Sequence, residues 1–145
     1  MEYKINEKVK YLNNMLCEID KLYQTLLLSK NLSDSEYVVL FAITELGEGC
    51  LQKDISENSY INKKTINSTI KKLEKNGIIT LKAGKYPNMH IYLTGEGRKY
   101  IEEKIYPIIE IENKVLDSMP DDEFKNLVIN YSKYIKVFKE QVEKF

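Results

Sequence analysis

The sequence predicts a mainly α-helical fold with a small β-wing. A winged helix-turn-helix lobe occupies about 33–99, and long dimerisation helices at about 4–30 and 100–145 flank it as parts of one domain. Three observations predict this. Apolar residues recur at heptad spacing near both ends of the chain. Two short amphipathic segments in the middle are separated by a turn. A pair of β-rich segments around a turn follows them directly.

The first segment is apolar at Ile5, Val9, Leu12, Leu16, Ile19, Tyr23 and Leu26, in alternating steps of four and three. Such spacing lines one face of a helix, and it predicts one long helix over 4–30. Ser33-Asp34-Ser35-Glu36 is a capping box, in which the Ser oxygen meets the N3 amide and the Glu reaches back. The helix it opens carries Tyr37, Leu40, Phe41, Ile43 and Leu46 and stops at Gly47-Glu48-Gly49. A short helix over 52–57 and a turn around Asn58-Ser59-Tyr60-Ile61 come next. A second helix follows over 63–76, with Asn62 as its N-cap and Gly77 just past its end. The period then changes from helical to alternating. Ile78–Lys82 and Met89–Leu93 are β-rich, and Ala83-Gly84-Lys85-Tyr86-Pro87-Asn88 is turn material. Thr94 caps a further helix with Ile101, Ile105, Ile108 and Val115 on one stripe, which Pro107 should kink or open by a turn. After Pro120 the last helix repeats the first pattern, at Phe124, Val128, Tyr131, Ile135, Phe138, Val142 and Phe145. The terminal stripes are too apolar to face water, which favours a homodimer built from them over an intramolecular helical core.

The 145 residues fit one domain, and 43% apolar with 30% charged residues excludes wholesale disorder. No apolar run of membrane length exists, and the first residues carry charge with no apolar signal core after them, so a cytoplasmic protein is expected. Cys17 and Cys50 have neither metal-ligand nor disulfide-framework spacing, and free thiols are expected. His90 is the single histidine and reads as an ordinary strand side chain. With no histidine cluster, no nucleophile–base set and no phosphate loop, the sequence points to no enzyme, no metal and no cofactor.

Zero net charge conceals an uneven distribution. Residues 1–49 hold five Lys against eight acids, residues 50–99 ten Lys or Arg against four acids, and residues 100–145 seven Lys against ten acids. A basic middle between acidic flanks suits an anionic partner, although a solvated face can give the same pattern. The basic residues concentrate on the second helix of the helix-turn-helix. Ile66, Ile70 and Leu73 line one side of it, while Lys63, Lys64, Thr65, Asn67, Ser68, Lys71 and Lys72 mark the other. Lysines neutralise phosphates, and short polar side chains reach base edges in a major groove. Asn67 can pair bidentately with adenine, whereas the usual guanine reader, arginine, is absent from this helix. In the wing, Lys82 and Lys85 are expected on phosphates, and Tyr86 or Asn88 at the groove edge. The expected partner is double-stranded DNA, as a pseudo-palindromic operator read by a homodimer. The rival reading is a winged-helix protein-interaction module without DNA binding. That module would need an apolar patch on helix 63–76, and none is visible there.

Four runs carry a resemblance: Leu51-Gln52-Lys53-Asp54-Ile55, Asn62-Lys63-Lys64-Thr65-Ile66, Lys72-Leu73-Glu74-Lys75-Asn76-Gly77-Ile78-Ile79 and Leu93-Thr94-Gly95-Glu96-Gly97. The chain resembles the MarR (multiple antibiotic resistance regulator) family of bacterial repressors from about residue 4 to 145. The resemblance implies terminal helices that dimerise and lobes that bind a palindrome. It also implies a small aromatic or phenolic effector, or an oxidant, that releases DNA. Eleven tyrosines could line such an effector site, or fill amphipathic interfaces. Cys17 falls in the helix where some relatives carry a redox-sensing thiol, but the neighbouring Glu18 and Asp20 oppose a reactive thiolate. Two positions depart from the family pattern. The wing Asp-x-Arg is replaced by Lys85 and Pro87, and a common recognition-helix Arg is Ser68.

Overall fold

The computed structural model describes residues 3–84 and 88–145. Its elements run α1 (Glu7–Ser29), α2 (Asp34–Leu46), α3 (Gln52–Glu57), α4 (Lys63–Lys75), β1 (Ile79–Ala83), β2 (Met89–Leu93), α5 (Gly95–Lys104), α6 (Tyr106–Asp117) and α7 (Asp121–Val142). A mainly helical chain with a small antiparallel hairpin is the expected winged-helix class. The chain divides into two compact units, Met1–Pro107 and Ile108–Phe145.

The first unit holds the lobe. Its core is Val39, Leu40 and Ile43 of α2, Ile55 of α3, Ile66, Ile70 and Leu73 of α4, and Ile79 and Ile91 of the hairpin, each no more than 2% exposed. Helix α1 starts later than the heptad pattern suggests. The Asn6 side chain accepts from the Lys8 amide at 2.8 Å and fixes the first turn at Glu7, because a capping side chain satisfies one of the amides that the helix start leaves open. Helix α2 begins with the expected capping box.

At the end of α4 the chain closes a Schellman turn. Gly77 sits at φ +71, its amide donates to Glu74 O at 3.0 Å, and the Ile78 amide donates to Leu73 O at 2.9 Å. Ile78 is thereby used in ending the helix, so β1 starts at Ile79 rather than Ile78. The hairpin is antiparallel, with Ile79 opposite Leu93 and Ala83 opposite Met89. Gly97 explains the end of the Leu-Thr-Gly-Glu-Gly run: a Cβ there would lie 1.9 Å from Ile78 O. Thr94 completes the junction, since its hydroxyl donates to Gly77 O at 2.5 Å and accepts from the Gly97 amide at 2.9 Å. The expected interruption at Pro107 is present. Helix α5 gives way to α6 around Ile105, and Pro107 stands in the first turn of α6, where its missing N–H is tolerated.

The second unit holds the rest of α6 and all of α7. No residue of α7 is buried. Tyr131, Tyr134 and Phe138 stack along it, with ring centroids 6.0 and 5.9 Å apart. Its first turn, Asp121-Asp122-Glu123, places negative charge at the positive end of the helix.

Candidate nucleic-acid interface

The candidate interface is built on α4. Its buried side, Ile66, Thr69, Ile70 and Leu73, fixes the helix in the lobe. Lys63, Lys64, Ser68, Lys71 and Lys72 are exposed, and Thr65 and Asn67 are half-buried. Residues 63, 67 and 71 are four apart, so Asn67 lies between two lysines on one ridge. Five of the side chains expected here are already engaged within the protein. Asn62 Oδ1 accepts from the Thr65 amide at 2.9 Å and from its hydroxyl at 3.1 Å. The Ser68 hydroxyl donates to Lys64 O at 2.9 Å. The Asn67 carbonyl accepts from the side-chain amide of Gln52 on α3. Lys72 Nζ lies 3.1 Å from Glu36 Oε1. Lys82 places its ammonium 4.7 Å from the centre of the Tyr92 ring, a cation–π contact on the wing face. Asn88 is exposed, and its carbonyl accepts from the Gly84 amide at 2.9 Å. Lys85 and Tyr86 lie outside the described residues.

Several supporting contacts escaped the sequence reading. The Thr69 hydroxyl donates to Ser35 Oγ at 2.9 Å, pinning α4 to the start of α2. Glu36 is 7% exposed and is the hub of this junction. It accepts from the Ser33 amide at 3.0 Å and from the Ser33 hydroxyl at 2.8 Å. Burial pushes its carboxyl pKa up, but the Ser33 hydroxyl, the Ser33 amide and Lys72 together hold it below the usual carboxylate range. In the turn between α3 and α4, the Tyr60 phenol donates to Asp34 at 2.8 Å. Partial burial of that hydroxyl and then the Asp34 carboxylate raise its pKa to about 12.

The single arginine of the chain has a structural partner. Arg98 Nη2 donates to Glu48 Oε1 at 2.8 Å and to Oε2 at 3.0 Å, while Glu48 Oε2 also accepts from the Leu93 amide. This clamp ties the loop after α2 to the base of the wing. His90 is a strand side chain as expected, with Nδ1 2.7 Å from Gly49 O. Cys17 is exposed and Cys50 half-buried, and both are free thiols. Burial and Asp54 raise the Cys50 thiol pKa. Among the described residues, no group of three or more His, Cys, Asp or Glu could hold a metal ion. No described helix is long and apolar enough to cross a membrane.

A two-helix unit with a buried-face second helix, a lysine-rich outer face and an adjoining hairpin defines a winged-helix protein. Residues 32–83 match the MarR family. No curated protein matches the chain. Among solved structures, the chain is similar to NMB1585, a MarR family regulator from Neisseria meningitidis, at 20% identity and a TM-score of 0.83, covering 97% of this chain and 99% of that one. It is similar to MepR of S. aureus in a DNA complex, at 18% identity and a TM-score of 0.68, covering 93% and 99%. It is also similar to BpsR of Bordetella bronchiseptica, whose DNA binding is regulated by 6-hydroxynicotinic acid, at 20% identity and a TM-score of 0.66, covering 94% and 99%. These identities establish the shared fold, and the stretch from 32 to 83 carries the likeness to the MarR family.

Proposed function

We propose that the protein is a cytoplasmic, sequence-specific DNA-binding transcriptional regulator. It binds a pseudo-palindromic duplex as a homodimer and represses transcription until a small aromatic effector lowers its affinity. The observation that carries this reading is the outer face of α4. Lys63, Lys64 and Lys71 stand exposed around Asn67 on a helix whose other face is buried in the lobe. Such a helix is fixed in position by its core and presents cations to phosphates, with a short polar side chain among them. The absence of any large apolar side chain from that face argues against a protein-docking role for it.

The dimer is supported by the terminal helices. Ile5 just before α1, and Val9 and Ile19 on it, are 48–50% exposed, and the stripe of α7 is exposed throughout. A second copy is the partner that could cover both, making the helices at 4–30 and 100–145 the dimerisation region around a lobe at 33–99. The effector reading is supported by the likeness to BpsR, whose DNA binding responds to an aromatic acid. The chemistry is binding and release rather than catalysis.

A binding-site selection from random duplexes, followed by footprinting of the selected site, tests the reading. The expected site is a pseudo-palindrome with half-sites about one helical turn apart, since a two-fold protein reads a two-fold sequence. Protection of a single asymmetric half-site would contradict it.

A further inference from the structure

We propose that Gln52 is a specificity-determining residue: by holding the carbonyl of Asn67, it turns Asn67 from an adenine reader into a hydrogen-bond donor aimed at purine N7. This rests on the reading of α4 as the helix that enters the major groove.

Each side-chain amide offers a fixed set of hydrogen bonds. An Asn side chain has one carbonyl oxygen and one NH2 group, and reading adenine bidentately uses both, accepting from N6 and donating to N7. In this structure Gln52 Nε2 donates to Asn67 Oδ1. The carbonyl is therefore turned toward α3, and the two N–H groups of Asn67 remain. A donor alone suits N7 of either purine, with O6 beside it in guanine, and the lone O4 of thymine, and has nothing to offer the N4 amine of cytosine. Lys63 and Lys71, one turn before and after Asn67, add positive charge and further donors on the same ridge. The pair thus favours an electronegative purine edge over adenine in particular, unlike Asn67 considered without its partner.

Gln52 is well placed for this role because its own backbone is held. It is the first residue of α3, and its carbonyl accepts from the Ser56 hydroxyl at 3.1 Å. The preceding residue, Leu51, forms a β-bridge with His90, and Ile55 one turn later is 1% exposed. The amide of Gln52 is therefore carried on a segment fixed to both the wing and the core. Gln52 and Asn67 are fifteen positions apart, on different helices, and only the fold joins them.

The test is binding-site selection at one fixed salt concentration with the wild-type protein, Gln52→Ala and Gln52→Glu. The base pair that faces residue 67 is located as the one whose preference disappears in Asn67→Ala. The wild type should accept guanine and adenine there within about threefold of each other. Gln52→Ala frees the Asn67 carbonyl, and adenine should then exceed guanine by about tenfold. Gln52→Glu supplies only acceptors, so Asn67 must turn its NH2 group toward position 52 and its carbonyl outward. Selection should then move toward bases that present an amine, adenine and cytosine, with guanine falling about tenfold. A shift in base choice is a readout that simple loss of stability does not produce. Identical selected bases in the wild type and both variants would overturn the proposal while leaving DNA binding intact. Failure of the wild-type protein to bind any duplex at low salt would instead overturn the DNA-binding reading, and this inference with it.

Discussion

The lobe and the terminal helix α7 treat their apolar residues in opposite ways. In the lobe, Val39, Leu40, Ile66 and Ile91 have no measurable exposure, and buried polar groups such as Glu36 and Thr69 are hydrogen-bonded. In α7, Phe124, Ile135, Phe138 and Val142 stand 39–60% exposed. The difference teaches where each part finds its stability. The lobe closes its own core, while α7 is a regular helix with no buried residue. On the proposed reading a second copy covers its apolar face, so the two regions should respond differently to mutation and to protein concentration.

The largest effect should come from the lobe core. Ile66→Ala removes a fully buried side chain of α4 and should cost roughly 2–5 kcal/mol in chemical denaturation. The same loss at every protein concentration is expected, because the cavity lies within one chain. Phe138→Asp probes the other region and should cost the dimer about 3 kcal/mol, since a carboxylate replaces an aromatic ring in the proposed interface. Sedimentation at micromolar concentration should show a dimer for the wild type and a 17.0 kDa monomer for the variant. A wild-type monomer would remove the dimer reading altogether.

A smaller effect is expected at the junction between α2 and α4. Glu36→Gln weakens the capping box and the contact to Lys72, and should cost about 1 kcal/mol near neutral pH. Its pH dependence follows from the depressed carboxyl of Glu36. The stabilisation is fully present above the ordinary carboxylate pKa and is lost as pH falls through the lower, folded-state value. The difference between wild type and variant, followed by urea unfolding, should therefore be constant from pH 8 to about 6 and shrink below about 4. A difference that grows on acidification would contradict this assignment.

What the sequence made legible is what neighbouring residues decide. The Ser33–Glu36 capping box, the Asn62 cap, the Gly77 turn and the two hairpin segments each depend on residues a few positions apart, and each is present. Local competition also accounts for the boundary shifts. Asn6 delays the start of α1, and Ile78 is spent on closing α4. The polar partners of the site were not legible, because the fold alone brings them together. Glu48 and Arg98 are fifty positions apart, Ser35 and Thr69 thirty-four, and Gln52 and Asn67 fifteen. The lysine face of α4 could be read from helical spacing, whereas the engagement of Asn67 and Lys72 within the lobe could not. A pair such as Lys72 and Glu36 carries no pattern until α2 and α4 are packed together.

The claim at the centre of this account is that the α4 lysines meet phosphates. Its most direct test is the salt dependence of affinity for a non-specific duplex, measured by fluorescence anisotropy for the wild type, Lys63→Ala, Lys64→Ala and Lys71→Ala. Affinity should fall linearly on a log–log scale, and each substitution should reduce the slope by about one for each lobe bound. Wild-type affinity that is indifferent to salt, or slopes that none of the three substitutions alters, would contradict it.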